Sequence, residues 1–164
     1  MNTAHDITLA ERFAEAINSR NLDLFDQFVS GKRYANHNPF VPDGRDAVRS
    51  FFAGQWLASF PDTHVTIKHA LAVSDDRGDF VIARVAYEGT HTGAPFLGIP
   101  AQGRSVLMRS LDLWRVAEDS DGIRRFVEHW DELNLLEVMQ QLGAVPAPDQ
   151  TASEHSTAEG VWTS

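Results

Sequence analysis

Two aspartates in apolar surroundings carry the first chemical suggestion in this 164-residue chain. Asp112 interrupts the run LDLW, and Asp131 closes VEHWD two residues after His129. A carboxylate among leucines and tryptophans is costly to bury unless it is paired or used, and an apolar pocket lifts its pKa toward working pH. Such a carboxyl can take a proton from carbon flanked by carbonyls and return one to the developing alkoxide. Asp131 also has a plainer reading, since aspartate is a favoured N-cap and a helical pattern starts at Glu132. Asp112 has one too, as a buried partner of Arg109 or Arg125. The seven histidines, at His5, His37, His64, His69, His91, His129 and His155, are scattered. That spacing offers no metal constellation, and neither a metal nor an organic cofactor is expected.

The elements that must position these groups are legible from periodicity. Residues 7–19 place Ile7, Ala10, Phe13, Ala14 and Ile17 at helical spacing, with Thr8 and Glu11 as a capping box. A short second helix spans 21–30, stopped by Gly31. A third opens at Asp43-Gly44 and ends before Pro61, with Val48, Phe51, Phe52 and Trp56 on one face. The period then changes from 3.6 to 2. Strands are predicted over 64–73, 79–91, 105–117 and 123–130, separated by turns and one Gly/Pro-rich connection. A last helix covers 132–142, capped by Gly143. Residues 1–145 form one domain, and the aperiodic polar stretch 146–164 reads as a disordered tail, with Val161 and Trp162 its apolar exception.

Helices first and an antiparallel sheet after give an α+β domain, a strongly curved sheet packed on helices around a cone-shaped interior suited to a small apolar ligand. Strand parity puts Arg125, Val127, His129 and Asp131 on one face, opposite Phe126, Glu128 and Trp130. On the preceding strand Val106, Met108, Ser110, Asp112 and Trp114 share a face. His37 and Tyr34, in the irregular segment before Pro39, are placed at a cavity mouth. Trp56, Phe51 and Phe52 are helix core that also walls the cavity.

Bulk composition narrows the partners. With 23 acids against 14 bases the formal charge is -9, which repels phosphate backbones and anionic membranes. The absence of cysteine removes disulfide and thiolate chemistry. No signal-like segment or apolar stretch near 18 residues is visible, so a cytoplasmic location is expected.

The run YEGTHTGAPFLGIPAQGRSV resembles the signature of SnoaL-like polyketide cyclases, within the nuclear-transport-factor-2-like superfamily of cone-shaped α+β folds. The ending VEHWDELNLLEVMQQLG, the FPD at 60–62 and the HNPF at 37–40 are similar as well, so the resemblance spans about residues 8–145. It implies an intramolecular aldol closure without cofactor on a hydrophobic polyketide-like substrate. Asp131 is then the general acid/base, and Asp112 stands where the family has a cavity histidine. It further implies a substrate surface that includes His129, His37, Tyr34, Trp56, Phe52, Met108 and Trp114, and a homodimer. Two other readings stay open: a non-catalytic ligand-binding module, and epoxide opening or isomerisation with Asp112 and Asp131 bracketing Arg125.

Overall fold

The computed structural model describes residues 3–147. Tail expectations from residue 148 on, including Val161 and Trp162, lie outside the described residues. The chain folds as an α+β domain whose single sheet has the order β1-β5-β4-β3-β2. β1 (Ala35–Asn36) pairs parallel with β5 (Arg124–Leu133), while β2 (His64–Asp75), β3 (Gly78–Thr90) and β4 (Ser105–Glu118) continue antiparallel.

Alternation dictates the two faces. Along β4 the residues Val106, Met108, Ser110, Asp112, Trp114 and Val116 are all buried, and those between them are not. Two register shifts, at Ile67/His69 in β2 and at Arg115/Val116 opposite β5, are the irregularities that bend and twist strands. The concave face so formed is covered by α1 (Thr3–Asn18), α2 (Phe25–Phe28) and a composite helix. That helix runs as α3 (Arg45–Phe51), a π-helical turn (Phe52–Trp56) and α4 (Leu57–Ser59).

An aromatic core joins the layers. Phe13 of α1 meets Phe25, Phe52 and Trp114, while Phe28 and Trp114 pack on Phe126. Rings of this size bury the most apolar area per residue, and edge-to-face pairs add about 0.5–1.5 kcal/mol each.

Three local expectations are corrected. α1 begins at Thr3, so Thr8 and Glu11 lie inside the helix and form no capping box; the first turn instead carries Asp6, whose carboxylate receives both arms of Arg124. α2 ends at Phe28 because Val29 turns extended to bridge Phe126, two residues before Gly31. The last helix, α5 (Leu135–Gln141), starts three residues late, because β5 keeps pairing with β4 through Leu133. Gly143, at φ 76°, follows it as expected.

Candidate active site

Asp112 and Asp131 are direct cross-strand partners in the β4–β5 ladder. On one face of an antiparallel pair, opposed residues hold their Cβ atoms about 4.5–5.5 Å apart. Two carboxylates are therefore fixed side by side beneath the helices. His129 joins them through a bulge. Arg115 pairs with Glu128 but Val116 pairs with Phe126, so Val127 is the extra residue on β5. Parity switches there, and both Phe126 and His129 stack on Trp114, at 4.9 and 5.3 Å. The single face expected for Arg125, Val127, His129 and Asp131 is thus broken. Arg125 points elsewhere, to Asp119 and Asp121.

Every group of the cluster is held. His129 Nε2 lies 2.9 Å from Asp112 Oδ1, and its Nδ1 lies 2.9 Å from Asn36 Oδ1. Ser110 donates its hydroxyl to the other oxygen of Asp112, which is only 2% exposed. Asn38 donates to both oxygens of Asp131, at 3.0 and 2.7 Å. The segment that supplies both asparagines is anchored by β1, where Asn36 stands in register with His129, and by the carboxylate of Asp43 on the Asn36 amide.

Burial raises the pKa of Asp131; the nearby Asp112 and Glu132 charges add to that, while His129 and the Asn38 hydrogen bonds oppose it. The phenols of Tyr34 and Tyr87 are pushed up by burial and by the same two aspartates, so both stay protonated donors. The polar cluster sits at one end of a cavity of about 70 Å³, otherwise walled by Phe13, Phe52, Trp56, Phe96, Met108 and Trp114. Phe40 and Leu97 also line it and are each 43% exposed, which places them at its rim.

Of the residues singled out from sequence, Asp131, Asp112, His129, Tyr34, Trp56, Phe52, Met108 and Trp114 all line this cavity. His37 does not. Its ring stacks on Trp130 at 4.6 Å and binds Glu128 on the other side of the sheet, because β1 alternates as strands do. Asp131 is no N-cap, since Asn134 occupies that position of α5. Asp112 pairs with neither expected arginine: Arg109 binds Glu137, and Arg125 is remote. Among the described residues no arginine lines the cavity, so Arg125 does not stand between Asp112 and Asp131 as the epoxide-opening reading requires.

Asn36 and Asn38 were not anticipated; their only signal is the polar, proline-bounded segment ANHNPF. The scattered histidines suggested no metal constellation, yet one of them meets two aspartates from neighbouring strands. Asp112, His129 and Asp131 each bring a ligand atom within 4.8 Å of the others, a set that could hold a divalent cation.

The family model for SnoaL-like polyketide cyclases matches residues 7–142. TsrD from Streptomyces laurentii is 30% identical, with a TM-score of 0.70 over 84% of this chain and 94% of that one. IdmH from Streptomyces antibioticus is 27% identical, with a TM-score of 0.66 over 83% and 96%. AclR from Streptomyces galilaeus, at 22% identity and a TM-score of 0.71 over 90% and 87%, shares the fold. No curated relative matches in sequence. Among the described residues no helix is long and apolar enough to cross a membrane.

Proposed function

The chain belongs to the SnoaL-like polyketide cyclase family, and on that premise we propose that it closes a ring in a hydrophobic polyketide-like substrate by an intramolecular aldol reaction, with Asp131 as general acid/base and no cofactor. The observation that carries this reading is a half-buried carboxylate, raised in pKa by desolvation, at the polar end of an aromatic cavity. As carboxylate, Asp131 takes a proton from the carbon between two carbonyls. The resulting enolate attacks a second carbonyl held against the same wall, and the protonated Asp131 returns its proton to the new alkoxide. Positioned acid/base groups of this kind contribute roughly 10²–10⁴-fold. The aromatic walls hold the chain folded, which supplies an orientation term. Tyr34 and Tyr87, kept as phenols, can donate to a carbonyl oxygen as charge develops on it.

Phe40 and Leu97, which line the cavity and are each 43% exposed, are the side chains a ring-bearing substrate passes on its way to Asp131. Asp131→Asn keeps the shape and removes the titratable carboxyl. It is expected to abolish ring closure of an aromatic polyketide precursor while leaving the melting temperature within a few degrees. Full activity in that variant rejects the assignment. An enzyme of this kind is further proposed to work as a homodimer, built on the uncovered face of the sheet.

A further inference from the structure

We propose that Leu97 is a specificity-determining residue: held at the cavity rim in a left-handed backbone conformation, its side chain receives the apolar end of a substrate whose reacting carbonyl end lies at Asp131. This inference rests on the reading of Asp131 as the reacting end of the cavity. It deepens that reading by giving the substrate a direction and a second, apolar recognition group.

Leu97 stands where two considerations disfavour leucine. Phe96 donates its amide to the carbonyl of Ile99 at 3.0 Å, and Ile99 returns the bond at 2.9 Å. These bonds close a hairpin whose loop is Leu97 and Gly98 alone. Both loop residues have positive φ, 48° and 80°, a pattern that asks for asparagine, aspartate or glycine. Gly98 meets that demand at no steric cost, whereas the Cβ of Leu97 crowds the backbone carbonyl. Packing does not make up the difference, because the Leu97 side chain is left exposed.

Arg20 gives the contrast. Among the described residues only Arg20 and Leu97 carry a side chain at positive φ. Arg20 follows α1, and its guanidinium donates to the carbonyls of Ile17 and Pro61 at 2.7 Å each, so local bonds account for its conformation. Leu97 has no polar group with which to do the same.

The turn is nonetheless firmly held. Phe96 is buried and packs edge-on against Trp56 and Phe60, and His91 Nε2 lies 2.9 Å from the carbonyl of Ala94. A strained residue persists where its surroundings over-determine it, and such residues gather at ligand sites. An exposed leucine lining a cavity gains its apolar contact when a ligand removes it from water. Phe40, exposed at the same rim, offers that ligand a second apolar contact.

Acetylacetone and benzoylacetone test this. Both carry the carbon between two carbonyls that the catalytic reading assigns to Asp131, and they differ by methyl against phenyl at one end. Amide spectra of nitrogen-15-labelled protein read their binding without turnover. The wild-type chain is expected to bind benzoylacetone more tightly, with shifts at Leu97 and Gly98 for that ligand alone. Leu97→Asn suits the turn and removes the apolar contact. It is expected to weaken benzoylacetone by about tenfold, to leave acetylacetone within about twofold, and to melt no lower than wild type. Leu97→Met, which keeps an apolar side chain, is expected to keep the preference.

Equal weakening of both diketones, a phenyl preference that survives in Leu97→Asn, or no preference in the wild-type chain overturns the proposal. A Leu97→Asn chain that melts clearly lower overturns it too, because the leucine then serves packing in the empty fold. A phenyl preference that Leu97→Asn removes, in a chain that closes no ring, supports the rim contact and rejects only the catalytic reading. Ring closure that Asp131→Asn abolishes, in a chain with no phenyl preference, rejects only the rim contact.

Discussion

Side-chain chemistry in the cavity is governed by how few charges a low-dielectric wall tolerates. Asp112 and Asp131 face each other across β4 and β5, and like charges in opposed positions destabilise a sheet. Burial already raises the Asp131 pKa, so its protonated form is the one the fold favours. That preference contributes stability at low pH and is lost as pH rises through the raised midpoint. The proposed role as a base requires the ionised form, so the activity limb should rise with pH, with its midpoint above that of a free aspartate. Asn38 holds both Asp131 oxygens and lowers the pKa it meets. Asn38→Ala is therefore expected to move the acid limb of kcat/KM upward by about one pH unit. A pH–rate profile checks this, and an unmoved or downward-shifted limb contradicts it.

At the scale of elements, the cavity depends on two places where regular structure gives way. Gly93 donates its amide to Ser59 and Ala94 donates to Ala58, so the 92–103 connection is clamped on the end of α4 and carries Phe96 and Leu97 to the cavity. A Cβ at Gly93 would come within 1.9 Å of the Ala58 carbonyl oxygen, a backbone atom with no room to yield. Gly93→Ala is expected to cost about 2–3 kcal/mol and to lower Tm by roughly 5–10 °C in a calorimetric scan. A change under one degree would show that the clamp is dispensable.

The second place is the bulge at Val127, which returns His129 and Asp131 to the concave face that Phe126 already occupies. Periodicity alone located the long strands to within a few residues, because each buries one face and exposes the other. It could not reveal an unpaired residue within β5, nor that β5 runs on through Asp131 into Leu133, since those depend on pairing with β4. Asn36 and Asn38 escaped for a related reason. Short polar side chains on a proline-bounded segment have no period, and their partners lie more than ninety residues away. Aspartates in apolar runs stood out for the opposite reason, being the residues such runs should lack.

At the scale of the whole molecule, one sheet face is covered by helices and the other is left uncovered by the described residues. Leu71, Ile82, Leu113 and Trp130 are successive cross-strand neighbours on the convex face, forming an apolar row across four strands. Leu71 and Leu111 are each 52% exposed and Val73 is 42% exposed, all on the side turned away from the helices. The row is bordered by Arg115 and Glu128, which bind each other at 2.6 Å, and by His37 stacked on Trp130. An apolar centre with a paired-charge border suits a second copy of the same surface about a two-fold axis, and a stable contact of this kind buries about 800 Å² per partner. The formal charge of -9 opposes association elsewhere on the surface but is absent from this row. Light scattering on a sizing column should therefore return the mass of two chains. Leu113→Glu sets a charge in the middle of the row, where its twin would face it or a neighbouring apolar side chain, and should yield single chains with the cavity intact. A monomeric wild-type protein, or a dimer undisturbed by Leu113→Glu, would leave the convex face without the role assigned to it.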